Sequence, residues 1–166
     1  RIDQLEIIPH VAEAIRLLNE ADFKVIVVSN QSGIAKGYYQ EEDAIRFNEA
    51  IKTRLHAKGA LIDAFYFCPH HPEAANVTYR ARCNCRKPSP GLLIQAAKDF
   101  DIDLTRSYMI GDKISDIGAG ESVGCTSILV LTGHGRLEAE NLNHDAHDMI
   151  VPDLFEGVKK ILSIEG

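Results

Sequence analysis

The chain has 166 residues, 45% of them apolar by type, and a net charge of −6. That is enough material for one domain with a core, while the acidic balance excludes general nucleic-acid binding, which needs a basic footprint. No apolar run approaches the ~20 residues of a membrane span. The opening RIDQLEIIPH lacks the continuous apolar centre of a secretion signal, so a cytoplasmic monomer with no membrane or nucleic-acid partner is expected.

Helical and strand-like patterns alternate along the chain. PHVAEAIRLLNEAD at 9–22 has helical spacing, with Pro9 suited to a first turn. FKVIVVS at 23–29 is a β-branched run of the kind buried on both faces of a parallel sheet. EEDAIRFNEAIKTRLHAKG at 41–59 reads as an amphipathic helix, with acids at its start and Gly59 at its end. Strand 61–67, a Cys/His loop, helix 89–99, strand 107–110 and helix 114–123 follow. Strand 125–131, a weaker helix at 135–142, strand 148–151 and helix 153–163 complete the order.

This alternation predicts an α/β fold, a doubly wound, mainly parallel, Rossmann-like sheet, spanning 1–166 as a single domain without a large cap domain. Ligands of such sheets sit beyond the carboxyl ends of the strands. The segments there are SNQSG, CPHH, GDK and TGHG. With no cap, the Cys/His loop and IAKGYYQ are left to shape the pocket entrance.

Cys68, His70, Cys83 and Cys85 have the spacing C-x-H-x12-C-x-C. Three thiolates and an imidazole suit tetrahedral zinc, and four protein ligands leave no open position, so the metal would be structural. His71 competes with His70, which is preferred because Cys-x-His mirrors Cys-x-Cys. Free thiols, or a redox pair at Cys83 and Cys85, are the alternative. Cys125 opens a strand and reads as a small core residue. The loop, 68–86, offers little apolar material to hold it down, so a metal crosslink would supply its order and aim Arg86 and Lys87 over the sheet edge.

Ser29, Asn30, Gln31 and Ser32 offer hydroxyls and backbone N–H groups to a phosphoryl oxygen, or simply form a capping turn. Asp112 is an oxygen ligand suited to Mg²⁺, with Lys113 beside it. Asp116, at the start or in the first turn of the next helix, reads as a helix cap, as a further carboxylate at the metal, or as both. Lys87 is the candidate for neutralising a transferring phosphoryl group.

SNQSGIAKG, CPHHP…CNCRKPSPG and MIGDKISD together resemble the haloacid dehalogenase superfamily of phosphatases. Within it, they resemble the branch acting on heptose 1,7-bisphosphates, and the likeness runs over essentially the whole chain. The related histidinol-phosphate phosphatases have a similar zinc loop with a shorter insert. The resemblance implies a Mg²⁺-dependent phosphomonoesterase with structural Zn²⁺, taking the 7-phosphate from a phosphorylated heptose on the route to lipopolysaccharide or S-layer sugars. It implies that Ser29 binds the phosphoryl group, Asn30, Gln31 and Ser32 line the substrate site, and Arg86 recognises substrate. Lys87 would stabilise the phosphoryl group, Asp112 bind Mg²⁺, and Lys113 stand at substrate and metal.

The family's first motif, Asp-x-Asp at the end of the first strand, supplies a nucleophile and an acid/base. Asp101-Ile102-Asp103 precedes a strand instead. A four-residue strand spans ~13 Å, too far for shared metal coordination with Asp112. The expectation is therefore that the chain lacks an amino-terminal strand of ~20–25 residues with its approach, since deleting a central strand leaves neighbours unpaired. A non-catalytic sugar-phosphate binder is the alternative; a zinc-ribbon nucleic-acid binder is disfavoured by charge.

Overall fold

The computed structural model describes residues 2–142 and 149–166, grouped into two units, Arg1–Arg86 and Lys87–Gly166. The first unit contains α1 (Val11–Glu20), β1 (Ile26–Asn30), α2 (Ser32–Ala35), α3 (Glu41–His56) and β2 (Ala64–Cys68). The second contains α4 (Gly91–Phe100), β3 (Tyr108–Gly111), α5 (Ile114–Ser122), β4 (Thr126–Val130), α6 (Gly135–Ala139), β5 (Ile150–Val151) and α7 (Leu154–Glu165). Each unit has its own parallel sheet, β1-β2 in one and β3-β4-β5 in the other. This is the α/β, doubly wound class that the alternating pattern implies.

Strands begin one to three residues later than the apolar runs suggest, for a local reason. In the first unit, residues ahead of each strand tie back to helices instead. Phe23 N–H donates to Leu18 O at 3.0 Å and Ala60 N–H to Leu55 O at 3.0 Å, while Leu61 N–H donates to Asn19 Oδ1 at 2.9 Å. Pairing then starts at Ile26 opposite Ala64.

Helix ends follow the side chains available to cap them. Helix α3 starts with Gln40 N–H donating to Asp43 Oδ2 at 3.0 Å, and α7 with Glu156 N–H donating to Asp153 Oδ1 at 2.9 Å. Pro9 lies outside α1, because His10 at φ 68° turns the chain first. The weak helix at 135–142 contracts to Gly135–Ala139, and strand 148–151 to Ile150–Val151, with residue 148 outside those described. Helix α2 was not expected; four residues are too few to show a period.

In the first unit, Ile15, Leu55, Ala60 and Ile62 form a buried cluster, with Val27, Ile51 and Phe65 packed on it. Residues of β1 are half-buried, not fully enclosed, consistent with a two-stranded sheet among the described residues. In the second unit, Ile128, Leu129, Val158 and Ile161 are its largest fully enclosed side chains. Each such burial contributes roughly 1.5–3 kcal/mol relative to exposure. With α5 and α7 packed on β3 and β4, this core fixes the carboxyl end of β3.

Candidate active site

Parallel pairing in the first unit brings two motif segments to one strand edge. Asn30, the last residue of β1, stands opposite Cys68, the last of β2. Gln31 N–H then donates to Cys68 O at 2.8 Å, so the SNQS turn is pinned to the strand that starts the Cys/His loop. Ser29 Oγ accepts from Gln31 Nε2 at 3.2 Å, and Gln31 Oε1 accepts from the Tyr39 hydroxyl. Ser32 is the first residue of α2.

The Cys68, His70, Cys83 and Cys85 ligand atoms lie within 4.8 Å of one another. The Sγ separations are 3.4 Å for Cys68–Cys83, 2.9 Å for Cys68–Cys85 and 3.3 Å for Cys83–Cys85. His70 Nδ1 is 3.6 Å from Cys68 Sγ and 3.4 Å from Cys85 Sγ. A tetrahedron with zinc bond lengths has edges of about 3.3–3.8 Å; every separation but the 2.9 Å between Cys68 and Cys85 falls in that range, so three sulfurs and an imidazole nitrogen are gathered closely enough to share such an ion. His71 is turned elsewhere: its Nδ1 accepts Glu73 N–H at 3.1 Å and its own N–H donates to Tyr79 O at 3.0 Å.

Protonation is uneven across the cluster. Burial works to raise the Cys83 thiol, but hydrogen bonds from Cys85 and Cys68 and from the backbone N–H groups of Cys85 and Arg86 outweigh it, leaving it at about 6. Burial, then the neighbouring sulfurs, push Cys85 upward, and burial raises Cys68. One thiolate forms readily; the other two call for a cation between them.

The loop does not depend on a metal alone. Arg80 Nε donates to Ala74 O at 2.5 Å and Nη2 to Ala75 O at 3.1 Å, holding the insert from within. Ala74 is buried. Arg86 Nη1 reaches back to His70 O at 3.5 Å.

In the second unit, Lys87 Nζ lies 2.6 Å from Asp116 Oδ1, with both side chains 8% exposed. Asp116 Oδ2 accepts Lys113 N–H at 3.1 Å, capping α5. A Cβ on Gly111 would fall 2.2–2.5 Å from Asp116 side-chain atoms, so only glycine admits this carboxylate at the end of β3. Asp112 follows directly. Its Oδ2 accepts His134 N–H at 2.9 Å and lies 3.1 Å from His134 Nδ1. Burial raises the Asp112 carboxyl, but these His134 contacts prevail and hold it below its ordinary value. A half-buried carboxylate oxygen is a fitting ligand for Mg²⁺, which keeps several waters. The Lys113 side chain is exposed.

Three contributors are not evident from the chain pattern. Asp116 reads as a cap and proves also to hold Lys87; His134 lies in a strand-end segment, TGHG, whose loop position was its only signal; Tyr39 follows the SNQSG turn without a motif of its own. Asp101, at φ 53°, ends α4, and Asp103 Oδ1 accepts from Thr105 N at 3.0 Å and Thr105 Oγ1 at 2.6 Å. Both precede β3, at its amino end.

Parallel strands alternating with helices, as in both units, are the arrangement of the haloacid dehalogenase type of hydrolase, and a HAD-hydrolase-like family model matches residues 84–157. The D-glycero-beta-D-manno-heptose-1,7-bisphosphate 7-phosphatase of Photorhabdus laumondii is 38% identical, over 96% of this chain and 87% of its own length. The D-glycero-D-manno-heptose-1,7-bisphosphate 7-phosphatase of Thermosynechococcus vestitus is 41% identical, over 97% of this chain and 85% of its own. A crystal structure of D,D-heptose 1,7-bisphosphate phosphatase from B. bronchiseptica, complexed with magnesium and phosphate, superposes with a TM-score of 0.86. It is 29% identical and covers 98% of this chain and 87% of that one. The chain belongs to the heptose-1,7-bisphosphate 7-phosphatase family.

Proposed function

We propose that this protein hydrolyses the 7-phosphate of D-glycero-D-manno-heptose 1,7-bisphosphate. The observation that carries the reading is the buried Lys87–Asp116 pair, which fixes an ammonium beside the strand end bearing Asp112. A cation held in a dry, preorganised position stabilises charge on a transferring phosphoryl group without reorganising at the moment of reaction.

In this reading Ser29 donates its hydroxyl proton to a phosphoryl oxygen, Asn30, Gln31 and Ser32 line the substrate site, and Arg86 recognises substrate. Asp112 holds Mg²⁺, with Lys113 alongside. When bound, that ion would draw charge from the phosphoryl oxygens. Cys68, His70, Cys83 and Cys85 hold Zn²⁺ in a closed, structural site. The reading calls for an aspartate that attacks phosphorus to give an aspartyl-phosphate, which water then hydrolyses; Asp101 and Asp103 lie at the amino end of β3 and do not fill that role. The setting would be the cytoplasm, as a monomer, on the route to lipopolysaccharide or S-layer sugars.

The test is steady-state phosphate release by the full-length protein with Mg²⁺, offered heptose 1,7-bisphosphate or histidinol phosphate. Phosphorus NMR should show the bisphosphate losing its C7 group in preference to histidinol phosphate turnover. A preference for histidinol phosphate would reassign the substrate, and binding without turnover of either would make the protein a sugar-phosphate binder.

A further inference from the structure

We propose that Tyr39 is a positioning residue that sets the polarity of the Ser29 hydroxyl through the side-chain amide of Gln31. The inference rests on the reading of Ser29 as a phosphoryl ligand.

A primary amide has an acceptor end and a donor end, and a rotation by half a turn exchanges them. At Gln31 the Tyr39 hydroxyl donates to Oε1, which leaves Nε2 to donate to Ser29 Oγ at 3.2 Å. A hydroxyl that accepts in this way keeps its own proton for an incoming acceptor, here an anionic phosphoryl oxygen. With the amide reversed, Oε1 would face Ser29 and draw that proton into the protein. Linked donors also polarise one another, so an acceptor bond on Ser29 Oγ strengthens what its O–H can give.

Three observations hold the relay in this sense. Gln31 is tethered by its backbone N–H to Cys68 O at 2.8 Å, which fixes where its side chain starts. Burial raises the Tyr39 phenol above its ordinary value, keeping it a proton donor throughout the neutral range. Gly33 provides the seat for the ring: a Cβ there would fall 2.2 Å from Tyr39 Cε1 and 2.8 Å from its hydroxyl oxygen. The adjacent Tyr38 is 78% exposed and takes no part.

The experiment measures the Kd of the full-length protein for inorganic phosphate with Mg²⁺, by calorimetry, in Ser29→Ala, Tyr39→Phe and the double variant. Tyr39→Phe should weaken phosphate by about tenfold, the scale of one hydrogen bond to a charged group, and should have no further effect in the Ser29→Ala background. Gln31→Met, which removes both ends of the amide, should match Tyr39→Phe, and it serves if the tyrosine variant fails to fold. An equal loss from Tyr39→Phe in both backgrounds would mark a merely structural tyrosine and overturn the proposal, as would an unchanged Kd. If Ser29→Ala itself leaves phosphate affinity intact, the assignment of Ser29 is what fails, and the relay falls with it.

Discussion

Lys87 and Asp116 are equally enclosed, and the ion pair between them is short. Breaking such a pair from one side leaves a buried charge uncompensated, at a cost of roughly 3–5 kcal/mol. Lys87→Met should therefore lower stability to urea by that order and reduce kcat by about 10²–10³-fold, with a smaller change in KM. Adding Asp116→Asn removes the stranded charge while keeping an oxygen for the Lys113 N–H; the double variant should regain stability but not turnover. Recovery of turnover would remove Lys87 from the chemistry. The lysine was legible in the sequence because it follows a ligand-rich loop and precedes a proline. Its partner was not, since spacing along a chain carries no record of which distant carboxylate a buried ammonium meets.

At the scale of elements, Tyr108 at the start of β3 donates its hydroxyl to Glu165 Oε1 at 2.6 Å, near the end of α7. Burial, then the Glu165 carboxylate, push the phenol from its ordinary 10.0 to about 12. A raised folded-state value means that the protonated phenol stabilises the fold. Its contribution is fully present below pH 10 and is lost as pH rises through about 12. Tyr108→Phe should cost roughly 0.5–1.5 kcal/mol at neutral pH, and the gap from wild type in denaturant melts should close across that alkaline window. A gap that stays constant to pH 12 would show that the bond contributes nothing. Apolar runs located the strands well, because β-branched residues pack into parallel sheets. They placed the starts too early, because Phe23 and Leu61 are as apolar as strand residues yet bond back to helical residues instead.

For the molecule as a whole, the Cys/His cluster is the ordering element most open to experiment. Elemental analysis should find one zinc per chain, and Cys83→Ser should lose it, lower the melting temperature and weaken substrate affinity. Unchanged metal content in that variant would dismiss the cluster as a zinc site. The clustering of these four residues was readable from spacing, apart from the choice of His70 over His71, since paired Cys-x-His and Cys-x-Cys steps bring such side chains together with little intervening chain. The internal support from Arg80 was not, because a guanidinium reaching backbone carbonyls leaves no periodic trace. In the second unit the strands all run the same way, so Asp112 and the Lys87–Asp116 pair lie toward the carboxyl end of β3, leaving the opposite rim without candidate site residues. Exposed Arg106 belongs to that opposite rim, just ahead of β3. A fluorophore or affinity handle attached there can follow the protein in solution while leaving the working end untouched.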